Sequence, residues 1–249
     1  MDLVSSIPLF SGAGTPDLAM QTMAMHVGWA LVAGALIAFV LRAFTPSLRT
    51  GGVMLVILAC LKPGAWSPSW WLGLAFQTPS LTLQGIGLLY LLRMWRLKGV
   101  PPPETVSSAA YARWPNGLLL LASAIGWVFA LDTFAAFDLH LYAIGFTPYA
   151  VLAGLLLASL LRLWSMLFGD APDMQRYREL AVIILCAMAV HLLTRLPTGN
   201  AWDALMDPWL WLTAQAVWLS RVAVWLALLA RVSAHRAGAW ITTALGRTR

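Results

Sequence analysis

Three of the four histidines in this chain of 249 residues, His26, His140 and His191, fall near the same end of long apolar runs. A helix rises about 1.5 Å per residue, so the three imidazoles are predicted to lie in the outer thirds of their helices. Neutral imidazole is a usual axial ligand of haem iron and also suits copper. The pattern therefore predicts a haem b or copper site. The alternative interpretation is that these histidines form hydrogen bonds between helices or lie at the membrane interface.

Two arginines accompany these histidines in apolar surroundings. Arg195 follows His191 by one helical turn on the same predicted face, and together with Lys62 it can receive haem propionates. Arg221 interrupts the last apolar run, and an arginine inside a membrane normally faces the bundle interior or water. The nearest predicted acid is Glu179, toward the cytoplasmic end, and the alternative is that Arg221 snorkels to the inner interface.

Methionines cluster ahead of the first histidine in the segment MQTMAMH. Soft thioethers beside an imidazole suit Cu(I), so Met20, Met23 and His26 are predicted copper ligands. Met20 and Met23 share a helical face with His26 more nearly than Met25 does. The alternative is that these methionines pack in the core or face lipid.

A predicted hairpin over 131–146, LDTFAAFDLHLYAIGF, carries Asp132 and Asp138. Two carboxylates near an imidazole can bind a cation or pass protons. The alternative is that they only terminate helices, with Asp138 capping the helix that follows. Asp203 and Asp207 precede Pro208 and have the same capping interpretation for the last helix.

Composition indicates an all-α polytopic membrane protein. The chain is 60% hydrophobic and only 10% charged, with a mean hydropathy of +0.76, whereas soluble domains carry about 25% charged residues. The apolar residues form long runs, which indicates helices that are apolar all round. No polar stretch is long enough for a soluble domain, so residues 1–249 are predicted to be one integral membrane domain. The bilayer is the predicted partner, and further membrane subunits are a second expectation.

Seven transmembrane helices are predicted, at 20–41, 50–66, 79–95, 115–131, 139–164, 180–196 and 208–229. Residues 1–19 then form an extracytoplasmic arm, and residues 231–249 a basic cytoplasmic tail. With the N-terminus outside, thirteen of the sixteen basic residues fall on the cytoplasmic side. The positive-inside rule therefore predicts a cytoplasmic C-terminus in a bacterial inner membrane. The net charge of +6 reflects these helix ends, and nucleic-acid binding is not predicted.

The stretches HVGWALVAG and HLYAIGF, which begin at His26 and His140, resemble the histidine-bearing helices of NnrS-type haem and copper membrane proteins. The resemblance covers these two short segments and implies a haem or copper site. No P-loop, HExxH, CxxC or GxSxG motif is present. The sequence therefore predicts a redox or metal-handling membrane protein. The alternative is a non-catalytic permease or a scaffold subunit of a larger membrane complex.

Overall fold

The computed structural model describes residues 15–96, 115–134, 140–169 and 174–246, with side chains up to residue 230. These residues form helices and connecting turns, and the described ranges contain no strand. A short 3₁₀ turn, Leu41–Ala43, follows the first helix. The α-helices are α1 Leu18–Val40, α2 Pro46–Leu61, α3 Pro68–Phe76, α4 Leu81–Arg96, α5 Asn116–Thr133, α6 Leu141–Ile144, α7 Pro148–Leu167, α8 Met174–Thr194, α9 Ala201–Leu205 and α10 Pro208–Gly246.

Five segments of the described chain are long and apolar enough to cross a membrane: Leu18–Ala43, Asn116–Thr133, Pro148–Leu167, Met174–Thr194 and Pro208–Ala230. The predicted class, an all-α membrane protein, is confirmed at this level. Helices α2 and α4 have 16 residues each. Sixteen residues rise about 24 Å, which is less than the hydrocarbon core of about 30 Å. Length and composition therefore identify five of the seven predicted spans.

The predicted helix over 139–164 begins later than its apolar pattern indicates. Leu141–Ile144 forms the separate helix α6, and the long helix α7 begins only at Pro148. Proline lacks an N–H and disfavours helical backbone in the residue before it. Thr147 is accordingly extended, with φ −104° and ψ 161°. The start of this span was therefore predicted wrongly, because its first residues belong to a surface turn.

The last helix is longer than predicted. Helix α10 runs unbroken for 39 residues to Gly246, so the segment predicted as a basic tail is helical over 231–246. Helix α8 likewise begins at Met174, six residues before its predicted start. Both extensions lie in polar sequence. Hydropathy identifies the part of a helix that can cross the membrane, but it does not show where the helix itself begins or ends.

Two clusters of buried side chains hold the bundle together. Helices α7 and α8 pack closely, with Ala150, Ala158 and Ala181 fully buried between them. Small residues at such interfaces let helix backbones approach each other in a membrane. Helix α1 packs against α2 and α4 around Val53 and Leu91. Helix α4 also contacts α8 and so joins the two clusters, while α10 packs mainly against α5.

The short helices α3, α6 and α9 gather at one end of the bundle, which we call the short-helix face. Hydrogen bonds join the loops there: Gln21 Nε2 donates to the Pro197 carbonyl at 3.3 Å, and the Ser80 amide donates to Asp207 at 2.5 Å. The opposite end, the arginine face, includes Glu179, which accepts hydrogen bonds from both Arg93 and Arg176.

Candidate functional site

An open cavity of about 730 Å³ lies at the short-helix face, and we call it the α1 cavity. The first two turns of α1 form one wall, the turn at Pro63 forms another, and Trp70 of α3 completes the lining. Met23 and His26 both line this cavity. Their spacing of three residues places them on one helical face, as the sequence predicts. One predicted thioether ligand and one predicted imidazole ligand are therefore brought together.

His26 is held in a defined orientation by the end of α2. Its ring is buried, and Nδ1 lies 2.8 Å from the carbonyl oxygen of Cys60. A carbonyl can only accept, so Nδ1 carries the proton and Nε2 of the neutral ring keeps its lone pair. Cys60 lies in the last turn of α2, where carbonyls lack helical partners. The Ser67 hydroxyl donates to the same oxygen at 3.0 Å.

This hydrogen bond is the arrangement that metal-binding histidines usually have. A backbone carbonyl on one ring nitrogen fixes the tautomer and directs the other nitrogen to the metal. The sequence gave no sign of the contact with Cys60, which is 34 residues away.

The three methionines of this segment have different surroundings. Met23 lines the cavity and is 64% exposed. Met20 is 37% exposed and is not among the residues that line the cavity. Met25 packs on Gly73 of α3, where an added Cβ would lie 2.0 Å from the methionine sulfur. Of the predicted thioether ligands, Met23 is therefore the one placed beside His26 in the cavity.

Asp17 stands at the rim of the α1 cavity and caps helix α1. Its Oδ2 accepts hydrogen bonds from the amides of Ala19 and Met20 at 3.1 and 3.2 Å. A carboxylate in this position satisfies amides that have no helical partner and complements the helix dipole. The cavity therefore combines a thioether, an imidazole and a carboxylate.

His191 is only 1% exposed, and its Nδ1 donates to the Leu196 carbonyl at 2.7 Å. This bond ties the end of α8 to the turn that follows. Arg195 adopts a left-handed backbone, with φ 59°, immediately after the helix ends at Thr194. The helical face that the sequence predicted for Arg195 and His191 therefore ends before the arginine.

His140 is exposed and precedes α6 with a left-handed backbone, φ 52°. Its side chain makes no capping hydrogen bond with α6. No group of three or more His, Cys, Asp or Glu able to hold a metal exists among the described residues. All three predicted histidines belong to that part of the chain, so they do not form one three-histidine site.

A polar network that the sequence did not predict links α6 and α9. The Asp203 carboxylate accepts from the Tyr142 hydroxyl at 2.8 Å and from Thr198 Oγ1 at 2.5 Å. Asn200 Nδ2 donates to the Tyr142 carbonyl at 3.0 Å. Burial raises the pKa of Asp203, and burial together with the nearby Asp203 raises the pKa of the Tyr142 phenol. The partners are about sixty residues apart, so spacing gave no signal of them.

The predicted caps are found in part. Asp207 accepts from the Leu210 amide at 2.6 Å and so caps α10 as predicted, whereas Asp203 belongs to the polar network. Asp132 accepts from the Tyr142 amide at 2.8 Å, within the first turn of α6. Asp138, the other predicted cap, lies outside the described residues.

Arg221 donates from Nη1 to the side-chain oxygen of Asn116, the first residue of α5. Glu179, the nearest acid in the sequence-based prediction, is engaged by Arg93 and Arg176. The contact joins α10 to the start of α5 and gives Arg221 a structural role at the helix pair.

Comparisons of the chain with models of known protein families, with curated proteins and with solved structures gave no match. The fold itself defines the class: a helical protein with five segments able to cross a membrane.

Proposed function

We propose that this chain is a seven-span protein of the bacterial inner membrane that binds Cu(I) in the α1 cavity at the outer face. The observation that carries this proposal is that Met23 and His26 line one open cavity, with His26 Nδ1 engaged by Cys60. Cu(I) prefers thioether and imidazole ligands, so a Cu(I) site does not need a cluster of acids or thiolates.

The residues fit copper better than haem b. Of the three predicted histidines, His26 lines the α1 cavity, His191 is enclosed by protein, and His140 is exposed on the turn before α6. The predicted haem ligands His26, His140 and His191 thus have three different surroundings, whereas Met23 and His26 share one cavity. Bound copper supplies one-electron chemistry or is itself the transported cargo. The chain contributes Met23 and His26 as ligands and the Cys60 carbonyl as the group that orients the imidazole.

Seven spans and an outward short-helix face are supported by charge and by the order of the helices. Hydrogen bonds between loops bring alternate helix ends to the short-helix face, and the basic residues gather mainly at the other end. Helices α2 and α4 cross as short spans, which local thinning of the bilayer accommodates. The arginine face is then cytoplasmic.

A second candidate function is that of a scaffold subunit in a larger membrane complex. Only 6% of the apolar segment of α10 is buried, against 33% for that of α1. A helix that is so little covered within its own chain can pack against a helix of another subunit in the membrane.

Cu(I) binding by the purified protein tests the first proposal. Competition with a chromogenic Cu(I) chelator under reducing conditions gives the affinity. We expect Met23→Leu and His26→Asn each to weaken binding about tenfold or more, because each removes a ligand. Asparagine places an amide nitrogen near the position of Nδ1, so it preserves the bond to Cys60 while removing Nε2.

Met20→Leu is the matched control, because it removes a thioether on the same helix from outside the cavity lining. Its affinity should equal that of the unmodified protein. Equal losses in Met20→Leu and Met23→Leu, or no Cu(I) binding at all, would contradict the copper site. Spectra of oxidised and reduced protein check haem independently, since a Soret band would favour haem b. Stoichiometric co-purification of a second membrane protein would favour the scaffold function.

A further inference from the structure

A second cavity, of about 410 Å³, opens at the arginine face between the end of α7 and the start of α8. We call it the α7–α8 cavity. Its lining includes Arg162 and Ser165 of α7, Gly169 just beyond that helix, and Arg178 of α8. Two guanidinium groups therefore share one cavity, and none of the described lining residues is acidic. Such a lining is suited to an anion.

Arg178 is positioned at this cavity by the end of α7. Its Nη2 donates to the carbonyl of Gly169, two residues past the end of α7, at 3.0 Å. Its Nε is buried and has no hydrogen-bond partner in the described structure. A guanidinium has five N–H donors, so Arg178 keeps donor capacity beyond this bond. An anion held here would meet a side chain that is already oriented.

Arg162 supplies the second positive charge on the open side. Its side chain is exposed, four residues before the exposed side chain of Met166. The carbonyl of Arg162 accepts from the buried Ser165 hydroxyl at 2.6 Å. Arg178 is thus held by the Gly169 carbonyl, whereas the side chain of Arg162 is exposed.

The surroundings of the cavity are apolar and face outward. Leu163, Met166 and Leu167 are all exposed on the last turns of α7, with Met166 64% exposed. These side chains contact lipid when the segment Pro148–Leu167 crosses a membrane. The cavity thus lies where the apolar surface of α7 meets the charged end of the bundle, which corresponds to the depth of lipid head groups.

We propose that the α7–α8 cavity binds the phosphate group of an anionic phospholipid. Arg162 and Arg178 hold the phosphate, and the acyl chains follow the exposed surface of Leu163 and Met166. Basic pockets between transmembrane helices bind such head groups, and arginine makes paired hydrogen bonds to phosphate oxygens. A free phosphate ion would use the two arginines but not the apolar surface beside them.

Native mass spectrometry of the intact protein in detergent, titrated with phosphatidylglycerol or phosphatidylcholine, tests this proposal. We expect tighter binding of phosphatidylglycerol. Arg162→Gln and Arg178→Gln should each weaken its binding about fivefold, the effect of one interfacial basic residue on an anionic lipid. Phosphatidylcholine binding should stay unchanged in both variants.

Arg42→Gln is the control, because it removes the same charge at the far end of α1, where Arg42 stacks 4.1 Å from the Phe39 ring. Since Arg178→Gln also removes the bond to Gly169, the exposed Arg162 is the decisive position. Equal affinity for the two lipids, or an equal loss in Arg42→Gln and Arg162→Gln, would overturn the proposal. Displacement of phosphatidylglycerol by millimolar inorganic phosphate would overturn it too, because the site would then be one for a free anion.

Discussion

Asp203 is a partly buried acid held by two hydroxyl groups. Burial raises its pKa above the ordinary value of 3.8, although the hydrogen bonds from Thr198 and Tyr142 act in the opposite direction. The folded state therefore binds the Asp203 proton more tightly than the unfolded state does. Its contribution to stability is fully present below the unfolded pKa and is lost as the pH rises through the folded pKa.

We predict that Asp203→Asn removes this pH dependence. Asparagine keeps an acceptor oxygen for Tyr142 and Thr198 but cannot ionise. The difference in melting temperature, variant minus unmodified protein, should therefore increase between about pH 4 and pH 7. Thermal unfolding in detergent, followed by tryptophan fluorescence, measures it. A pH-independent difference for Asp203→Asn would contradict the prediction.

Residue types at the α1 cavity could be predicted from the sequence, but their partners could not. Met23 and His26 lie three residues apart, so helical periodicity alone places them on one face. The Cys60 carbonyl that orients His26, and the Tyr142 hydroxyl that meets Asp203, belong to distant elements. Such contacts depend on how helices end and turn, which hydropathy does not encode.

At the scale of elements, helices α5 and α10 meet through a glycine. A Cβ added at Gly126 would lie 2.1 Å from Cδ1 of Trp211, and the Trp127 and Trp211 rings meet edge to face at 5.1 Å. The absence of a side chain at Gly126 therefore lets the indole lie against the backbone of α5. Close approach at small residues is a main source of helix association in membranes.

Gly126→Ala should destabilise the protein by about 1–3 kcal/mol, because the added methyl forces Trp211 out of its position. Gly51→Ala is the matched control, since no atom lies within 4 Å of a Cβ at that helical glycine. It should be neutral or stabilising by up to about 1 kcal/mol. Melting temperatures in the same detergent compare the two variants. Equal effects would show that α10 does not rest on α5 at this point.

The long helices were predictable because their apolar runs are continuous, whereas the short ones depend on tertiary contacts. Helix α9 begins where Asn200 accepts from the Trp202 amide at 2.9 Å, and Trp202 Nε1 donates to the Leu141 carbonyl at 2.9 Å. The bond from Trp202 to Leu141 joins α9 to α6 across 61 residues. The apolar residues of 139–147 continue the apolar run of α7, so the sequence alone predicts α6 and α7 as one helix.

At the scale of the whole molecule, seven crossings and five crossings differ in the side of the membrane that Trp66 occupies. If α2 and α4 cross, the turn after α2 is outside. If they do not, it is cytoplasmic. With the predicted N-terminus outside, either number of crossings puts the C-terminus in the cytoplasm, so its location cannot distinguish them. Trp66 is 88% exposed and therefore accessible to a label.

We predict that Trp66→Cys, in a Cys186→Ala background, reacts with a membrane-impermeant maleimide in intact spheroplasts. Ser47→Cys, in the first turn of α2 at its other end, should react only after permeabilisation. The pair controls for cysteine reactivity, because both side chains are exposed in the wild-type chain. Reaction of Trp66→Cys only after permeabilisation would rule out the seven-span topology and the outward α1 cavity together.

Helix α10 continues without a break beyond its apolar segment. Its 39 residues rise about 58 Å, of which the apolar segment Pro208–Ala230 takes about 35 Å. Residues 231–246 therefore project about 24 Å past that segment as a continuation of the same rod. A helix adjusts to bilayer thickness by tilting, and a tilt of about 10° carries the far end about 4 Å sideways. A change in membrane thickness would therefore change the position of the far end of α10 outside the membrane.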